Sequence, residues 1–516
     1  MTAFARSDAA QARLARGSPL PVALLVLAQA SLALISLARE AHADDTVRIG
    51  SKVFTESVIL GEIATLAIER SGSPAVHRRE LGGTRVVWSA LVRGDIDVLP
   101  EYTGTLRQEV YGTEAIADDA ALIARLGQDG MRATEPLGFD DTYALGMKEA
   151  RAVALGIDDI SDLKQHEALR IAFSAEFTSR ADGWGSLKAR YGLTHTDIKA
   201  MDHDLAYRAL ADGAVDLIDL YSTDAEIRHY DLRVLRDDLK HFPAYRAVFV
   251  YRADLETRAP AAIAALRLLS GTIDEPTMIG MNAAAKLHRR PERAVAAELL
   301  SKVVGAPVTT QEEGRGERLL RATWQHLGLS AAALGLAIPL AVPLGFIAAK
   351  RRRLGRFLLG FTGIVQTLPS LALLVFLLPW LGLGAAPAIA ALALYALLPI
   401  VRSTHAGVTG IPAGLRESAE VLGLPTWYRV LRIEVPLALP SILAGLQIAA
   451  VTTVGTATLG ALVGAGGYGQ AILTGIRLDR MDLILEGAVP SALLAVATLG
   501  LFELLERHVV PRGLRL

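Results

Sequence analysis

The chain has 516 residues, no cysteine and a formal net charge of −1 at pH 7. The near-neutral charge gives no reason to expect a nucleic-acid partner, and the lack of cysteine excludes disulfides, thiolate metal sites and a cysteine nucleophile. Hydrophobic residues make up 52% of the chain and charged residues 21%, which is too apolar for an ordinary soluble protein and too charged for a chain lying wholly in lipid. Charges are frequent from about residue 40 to residue 321 and then become rare. The composition therefore predicts a water-exposed part followed by a membrane part.

The first 43 residues have the pattern of an export signal. Three arginines precede a long apolar stretch, and Ala41-His42-Ala43 puts small residues at the two positions that a signal peptidase reads. An uncleaved anchor helix is the alternative, because the apolar stretch is long enough to span the hydrocarbon core. In either case we expect the segment that follows to lie outside the cytoplasm.

Residues 44–305 alternate short apolar strands with helix-like runs, which is typical of an α/β fold. The stretch from Val47 to Ser51 has the pattern of a strand. Thr55 then opens a helix, with Glu56 near the positive end of the helix dipole. Because such units recur, the sequence predicts an extracytoplasmic domain of sheets with helices around them.

Several short phrases in this segment resemble, in order, those of type II periplasmic binding proteins for glycine betaine, choline and related osmoprotectants. These phrases are Gly50-Ser51-Lys52-x-Phe54-Thr55-Glu56, Pro100-Glu101-Tyr102-Thr103-Gly104-Thr105, Glu176-Phe177-x-x-Arg180-x-Asp182-Gly183, Tyr221-Ser222-Thr223-Asp224 and Phe242-Pro243-x-Tyr245. Asp141 departs from the pattern, because Asn is expected before Thr142-Tyr143. The resemblance implies two lobes that hold a ligand between them.

A quaternary ammonium ligand has no N–H group to donate, and its charge is spread over methyl groups, so aromatic faces are what attracts it. Tyrosines add hydroxyls that can reach polar partners. By resemblance, the box of tyrosines around the ligand consists of Tyr102, Tyr143, Tyr221 and Tyr245. For a ligand carboxylate the expected donors are Arg180, with its bidentate fork, and Lys52 and Thr105 in support.

Each of these residues also has a plainer interpretation. A tyrosine in an α/β domain is often part of the core, Arg180 can pair with Asp182 across a turn, and Lys52 can be a solvated loop lysine. The histidines show no metal-binding spacing, and the serines have no triad context, so the sequence favours neither a metal site nor a hydrolase.

Residues 306–323 have the composition of a polar linker after a helix end. Such a tether would hold the preceding domain at high effective concentration over whatever follows it.

Residues 324–516 have the pattern of an all-α, polytopic membrane domain. Five apolar runs approach or reach the length that a spanning helix needs, namely residues 327–349, 357–379, 384–401, 440–463 and 486–504. Arginine and lysine concentrate between the first and second runs, between the third and fourth, and after the fifth. By the positive-inside rule these segments are cytoplasmic, so the first span enters from outside. This agrees with an exported domain before it.

The cytoplasmic segment 415–440 resembles the coupling segment of ABC importer permeases, E-A-A-x-x-x-G followed by I-x-L-P. The matching residues are Glu417, Ala419, Gly423 and Pro436, with Ser418 and Val435 as mild departures. The resemblance implies a short helix, a turn at the glycine and a second helix, docked in a groove of the ATPase. An ordinary amphipathic surface loop is the alternative.

The chain has no G-x-x-x-x-G-K-[ST] motif, so the importer resemblance implies a separate ATPase subunit that uses ATP, and no cofactor bound by this chain. Five spans are few for a complete pathway, so we expect a homodimer of the permease domain in the cytoplasmic (inner) membrane. The chain would then be a transporter subunit and not an enzyme.

The expected substrate is a quaternary-ammonium osmoprotectant, with glycine betaine favoured because Arg180 suits a carboxylate. Choline, carnitine and ergothioneine carry the same trimethylammonium head and remain alternatives. A ligand-sensing membrane receptor without transport is the alternative from another class, and the coupling segment argues against it.

Overall fold

The computed structural model describes residues 46–112, 114, 116–310 and 314–510. The predicted export signal of residues 1–43 lies outside the described residues. The described part comprises a two-lobed α/β domain followed by an all-α domain.

Ten strands form two five-stranded sheets. The strands are β1 Val47–Gly50, β2 Ala75–Arg78, β3 Val98–Tyr102, β4 Met131–Ala133, β5 Tyr143–Lys148, β6 Ile171–Ser174, β7 Ile198–Met201, β8 Leu217–Tyr221, β9 Leu232–Val234 and β10 Ala247–Arg252. The first sheet has the order β2-β1-β3-β10-β4 and the second β7-β6-β8-β5-β9. In each sheet the first three strands of this order are parallel, and the fourth, β10 or β5, pairs with the third in the antiparallel direction. The fifth strand, β4 or β9, pairs antiparallel with the fourth. Strands β3, β6 and β8 are buried at every residue, as strands covered on both faces are.

Helices connect these strands and cover the sheets. They are α1 Thr55–Arg70, α2 Thr84–Arg93, α3 Thr103–Thr105, α4 Asp119–Gln128, α5 Glu149–Leu155, α6 Ala175–Ser179, α7 Trp184–Tyr191, α8 His203–Ala211, α9 Glu226–His229, α10 Leu255–Arg258, α11 Pro260–Arg267, α12 Glu275–Lys286 and α13 Glu292–Val304. Helix α1 carries the core of the first lobe, since fourteen consecutive residues from Thr55 to Ile68 are buried.

The chain passes between the lobes twice, after β4 and after β9. The two crossings pair at Asp140 and Arg246 in an antiparallel bridge. After β10 the chain stays on the first lobe, where α13 is tied to α1 by an ion pair between Arg293 and Glu62, 3.1 Å apart. Both sheets therefore end at one cleft, with the crossings at its floor.

Nine helices of the described residues form the second domain. They are α14 Arg315–Lys350, α15 Arg352–Thr367, α16 Ser370–Leu381, α17 Ala385–Thr409, α18 Ala413–Val421, α19 Thr426–Arg429, α20 Val435–Thr456, α21 Tyr468–Arg477 and α22 Met481–Val509. Four stretches of helix, 315–350, 385–409, 426–463 and 481–509, are long and apolar enough to cross a membrane. Residues 315–323, assigned to the linker from the sequence, form the first turns of α14.

The second predicted span, 357–379, is not one straight helix. Helices α15 and α16 meet at an angle of 98°, so the pair is a broken span or a re-entrant segment. The break falls at Leu368 and Pro369. Proline lacks the N–H that would continue the helix, and its ring clashes with the carbonyl four residues earlier. The apolar run was therefore correctly identified, but its shape was not.

The two ends of the helical domain differ. At one end the first lobe contacts the helical domain, where Asp95 accepts a hydrogen bond of 3.2 Å from the backbone N of Leu383. At the other end Lys350 pairs with Glu434 at 2.8 Å, next to the α18–α19 segment. Helix α14 runs the whole length between these ends, so the arginine- and lysine-rich segments between the apolar runs lie at the end opposite the lobes.

Candidate functional site

Strand pairing brings the four predicted tyrosines together in the cleft. Tyr143 opens β5 directly opposite Tyr221, which ends β8 in the antiparallel pair. Tyr102 ends β3 opposite Ala247 of β10, and Tyr245 lies two residues before that position. All four side chains are buried, with at most 9% of each residue exposed. The tyrosines thus belong to strand ends from both lobes and meet where those ends converge.

Tyr143 is the centre of the ring cluster. Its ring centroid lies 5.0 Å from that of Tyr221 and 6.1 Å from that of Tyr245. Two phenylalanines extend the same surface, with Phe177 at 5.2 Å and Phe242 at 6.3 Å. These spacings are those of interacting aromatic rings, so the cluster is continuous.

Phe54, Phe177 and Phe242 were missed as site residues by the sequence analysis. Phe54 joins the two lobes, because its ring lies 6.3 Å from Tyr102 and 5.4 Å from Tyr221. All three stand inside the phrases that carried the resemblance. The sequence could have identified them, because every aromatic residue in those phrases, phenylalanine as well as tyrosine, was a candidate for the ring cluster.

Two of the four tyrosine hydroxyls donate to acidic side chains, and those of Tyr143 and Tyr221 lie 3.4 Å from each other. Tyr102 donates to Glu56 at 2.6 Å, and Tyr245 donates to Asp182 at 2.5 Å. Gly104 allows Tyr245 its position, since a Cβ there would come within 2.5 Å of the tyrosine ring. The rings are therefore held in fixed orientations with their faces available to one another or to a ligand.

Arg180 lies in the cleft but already has a carboxylate partner. Its Nε and Nη2 donate to Asp182 at 2.7 and 2.6 Å, so the fork is occupied as the alternative interpretation had it. Nη2 also lies 3.5 Å from the hydroxyl of Thr105, and the guanidinium is 5.1 Å from the ring centroid of Tyr143. The structure brings Arg180, Thr105 and the tyrosines together, and Asp182 occupies two nitrogens of the guanidinium.

Lys52 is buried and paired, not solvated. Its Nζ donates to Glu101 at 2.5 Å. The same ammonium lies 5.4 Å from the ring centroid of Tyr102 and 5.9 Å from that of Phe54. Lys52 therefore faces the aromatic cluster as a neutralised cation.

A short helix places the residues that close the cleft from the second lobe. Ser174 caps α6 by accepting from the backbone N of Phe177, and Asp219 holds the Ser174 hydroxyl at 2.6 Å. Glu176 on this helix accepts from Thr84 of the first lobe at 3.0 Å. The two lobes are thus in contact across the cleft, which is in its closed form.

Two buried carboxyl groups share one hydroxyl beside the tyrosines. The Oγ1 of Thr223 lies 2.5 Å from Glu56 and 2.8 Å from Asp141. A hydroxyl has one proton to donate, so the second contact requires a proton on one of the carboxyls. Burial, together with the neighbouring carboxylates, raises the pKa of Asp141, and burial raises that of Glu56. Geometry and electrostatics agree that the pair holds a proton.

Within the described residues, no group of three or more His, Cys, Asp or Glu side chains is arranged to hold a metal ion. The cleft instead offers aromatic faces, tied hydroxyls and neutralised cations. Such a surface can hold a compact organic cation by cation–π attraction and apolar contact.

The segment predicted to couple to an ATPase has the expected shape. Helix α18 carries exposed Glu417 and buried Ala419, and the chain then turns at Gly423, whose φ is +67°. Pro436 lies just after the π-helical turn Val430–Glu434, within the continuous helical stretch 426–463.

Comparison with known proteins assigns each domain to a family. Residues 45–302 match the substrate-binding domain of ABC-type glycine betaine transport systems. Residues 341–512 match the inner membrane component of binding-protein-dependent transport systems.

Individual relatives divide in the same way. A carnitine transport permease protein of Listeria monocytogenes is 40% identical over 208 residues, which are 40% of this chain and 95% of the relative. A glycine betaine/carnitine/choline transport system permease protein of Bacillus subtilis (strain 168) is 41% identical over 200 residues, 39% of this chain and 92% of the relative. A glycine-betaine-binding protein of Pseudomonas aeruginosa is 34% identical over 292 residues, 54% of this chain and 92% of the relative. Each relative is matched over most of its length by only one part of this chain.

Proposed function

The chain belongs to the family of ABC importers for glycine betaine, carnitine and choline, with a substrate-binding domain and a permease domain in one chain, and we propose that it captures a quaternary ammonium osmoprotectant, glycine betaine first, and passes it inward through its own permease domain.

The aromatic cluster between the lobes carries this proposal. Tyr143, Tyr221, Tyr102 and Phe54 come from both lobes, and their rings lie 5.0 to 6.3 Å from their neighbours. A ligand bound among them would touch both lobes, so binding would favour the closed form. The seven residues proposed to contact the ligand are Tyr102, Tyr143, Tyr221, Tyr245, Arg180, Lys52 and Thr105.

Glycine betaine is favoured over a plain cation because the cluster borders cationic side chains. A ligand carboxylate would approach Arg180 through Nη1, which does not bond Asp182 but lies 3.7 Å from Glu176, or would share the guanidinium with Asp182. Thr105 lies beside the same guanidinium and adds a hydroxyl donor.

Choline is the second candidate, and a specific observation favours it. Asp182 neutralises Arg180, and Glu101 neutralises Lys52. A ligand with a positive head and no carboxylate would therefore meet no net repulsion from these pairs. Glycine betaine binds more tightly than choline if Arg180 leaves Asp182 for the ligand carboxylate, and choline binds more tightly if Arg180 stays with Asp182.

The permease part of the proposal has four elements. The basic loops lie at the end of the helical domain opposite the lobes, which supports an extracytoplasmic position for the lobes by the positive-inside rule. The α18–α19 segment would dock on a separate ATPase subunit, which would use ATP. Four spanning helices, or five with the bent pair, are few for a pathway, so two copies would form it together. The chain itself would act as a transport subunit without catalysis of its own.

The test is calorimetric titration of the full chain in lipid nanodiscs with glycine betaine, choline, carnitine and ergothioneine. We expect glycine betaine to bind tightest and Tyr102→Ala to weaken it at least tenfold, since the loss of one cation–π face in a desolvated site is worth about 2 kcal/mol. Tyr230→Ala, a tyrosine of the second lobe outside the cluster, is the matched control. Absence of heat with all four ligands would remove the quaternary-amine assignment.

A further inference from the structure

The permease domain contacts the first lobe through one buried arginine. Arg477 ends α21, and only 7% of the residue is exposed. Its Nε donates to Glu80 at 2.7 Å, its Nη1 donates to Thr55 at 3.0 Å, and its Nη2 donates to Glu292. We call this contact, Arg477 with Glu80, Thr55 and Glu292, the first-lobe anchor.

The anchor is a built site rather than a chance surface contact. Glu80 and Glu292 are themselves only 2% and 4% exposed. Glu80 also accepts from Gln470 at 2.6 Å and from Thr474 at 2.9 Å, both on α21. A buried charge that lost its partners would be strongly destabilising, so the anchor holds the first lobe firmly on the permease domain.

Two residues beyond the anchor, the same turn contacts the other lobe. Asp479 pairs with Arg208 of α8 at 2.5 Å; the Asp479 side chain is 72% exposed and that of Arg208 is 41% exposed. We call this ion pair the second-lobe latch. Beside it lies a cavity of about 190 Å³, lined by Tyr207 of the second lobe, by Lys286 at the end of α12 of the first lobe, and by the turn itself. The second lobe is therefore held lightly where the first is held tightly.

Two residues of these contacts have left-handed backbone. Among the described residues, five that are not glycine have positive φ, and Glu80 and Asp479 are two of them, at +59° and +51°. Left-handed backbone is disfavoured for residues with a Cβ, and such strain persists where the surrounding structure requires it. The strain directs one carboxylate into the anchor and the other into the latch.

The anchor also touches the ligand cleft. Thr55, the anchor residue, stands between Phe54 and Glu56. Phe54 stacks on the tyrosines of the cluster, and Glu56 accepts from Tyr102 and Thr223. Movement at the anchor is thus one residue away from the wall of the ligand site.

We infer that the turn between α21 and α22 senses closure of the lobes: the first-lobe anchor holds in the open and closed forms, and the second-lobe latch forms only when the lobes are closed. When the contacts across the cleft break, the lobes stay joined by the two covalent crossings, so opening would carry Arg208 of the second lobe away from a turn that stays with the first lobe. This inference rests on the proposed function, in which ligand binding closes the lobes.

The absence of native cysteine allows a test that needs no ligand. In the full chain in nanodiscs, Thr84→Cys and Glu176→Cys, which face each other across the cleft, are joined with a short bis-maleimide to hold the lobes closed. The same variant capped separately with N-ethylmaleimide carries no cross-link, so its lobes are free to open. Hydrogen exchange of the backbone in residues 477–482 is then compared. We expect exchange to be at least threefold slower in the joined protein.

Charge reversal shows whether the latch is responsible. Asp479→Arg should abolish the difference between joined and capped protein, and the exchanged pair Asp479→Arg with Arg208→Asp should restore it. Lys164→Asp, a reversal at an exposed lysine of the second lobe, is the matched control and should change nothing. Equal exchange in joined and capped protein, or no restoration by the exchanged pair, would overturn the inference.

A second measurement links the latch to binding. If the latch stabilises the closed form, Asp479→Arg weakens the affinity of the full chain for glycine betaine by about two- to fivefold, the range expected of an exposed ion pair, and the exchanged pair restores it. An unchanged affinity would overturn the inference. Failure of the proposed function would instead appear as a lack of binding by the unmodified chain, which leaves the joined-lobe experiment interpretable.

Discussion

The hydroxyl of Thr223 lies between Glu56 of the first lobe and Asp141 at the crossing to the second. The arrangement exists only when the lobes are closed, because Glu56 and Thr223 come from opposite sides of the cleft. Asp224 adds a nearby negative charge, which is itself paired with His203 at 2.9 Å, and Asn282 donates to Glu56 at 3.1 Å. Closing the cleft therefore brings acidic groups into a dry site, where they retain a proton.

This arrangement predicts a pH dependence of ligand binding. Burial raises the pKa of Glu56 and of Asp141 in the closed form. Because these carboxyls have a raised pKa in the closed form, their contribution to the stability of that form is fully present below the ordinary carboxyl pKa of about 4. The contribution is lost as pH rises through the raised pKa. Affinity for glycine betaine, measured by calorimetry on the full chain, should fall as pH rises above the ordinary carboxyl range, by at most about tenfold per pH unit for one proton.

Asp141→Asn tests the assignment of the proton, because an amide imitates the protonated carboxyl. We expect this variant to bind with a flatter pH profile and more tightly than the unmodified chain at pH 8. Asp212→Asn, at an exposed aspartate after α8, should leave the profile unchanged. A profile that stays steep in Asp141→Asn would show that the proton resides elsewhere.

The α18–α19 segment exposes apolar side chains that nothing in the described chain covers. Val421 is 88% exposed, Leu422 74%, Trp427 64% and Leu431 60%. Exposed apolar groups clustered on a short helix pair are typical of a docking surface. The turn at Gly423 sets the angle between the two helices, since its φ of +67° suits glycine and strains any other residue.

Two glycines of this segment offer a matched comparison. Gly423→Ala meets no neighbouring atom but forces a side chain into left-handed backbone, at a cost of about 1–2 kcal/mol. Gly414→Ala, inside α18, also meets no neighbour and should stabilise the helix by up to about 1 kcal/mol. ATP-dependent uptake of radiolabelled glycine betaine into vesicles that contain the ATPase should decrease severalfold with Gly423→Ala and not with Gly414→Ala. Equal uptake by both variants would show that the turn at Gly423 is not needed to couple the ATPase to transport.

For the whole molecule, the number of spans sets the expected assembly. The described residues of one copy contain four helices long and apolar enough to span a membrane, or five with the bent pair α15 and α16. Mass photometry of the chain with its ATPase in nanodiscs should find two copies of each. The lobes of one copy dock on its own permease domain, so the assembly would hold two binding domains above one pathway. Uptake by particles with a single copy of this chain would contradict this assembly.

The family, the α/β and all-α character of the domains, the apolar runs and the four clustered tyrosines followed from the sequence. These features depend on local periodicity and on short phrases, which can be recognised from neighbouring residues without knowledge of the fold. The tyrosines were a favourable case, because residues at strand ends meet wherever the strands pair, as Tyr143 and Tyr221 do.

The tertiary structure alone decided the partners of Arg180 and Lys52, the hydroxyl that Glu56 and Asp141 share, the 98° break at Pro369 and the position of Arg477. Arg477 and Glu80 are 397 positions apart. No local pattern relates residues at such a separation, since their contact arises from how the lobes close and how the first lobe packs on the permease domain. The sequence thus determined what each segment is, and the packing of segments determined which charges meet.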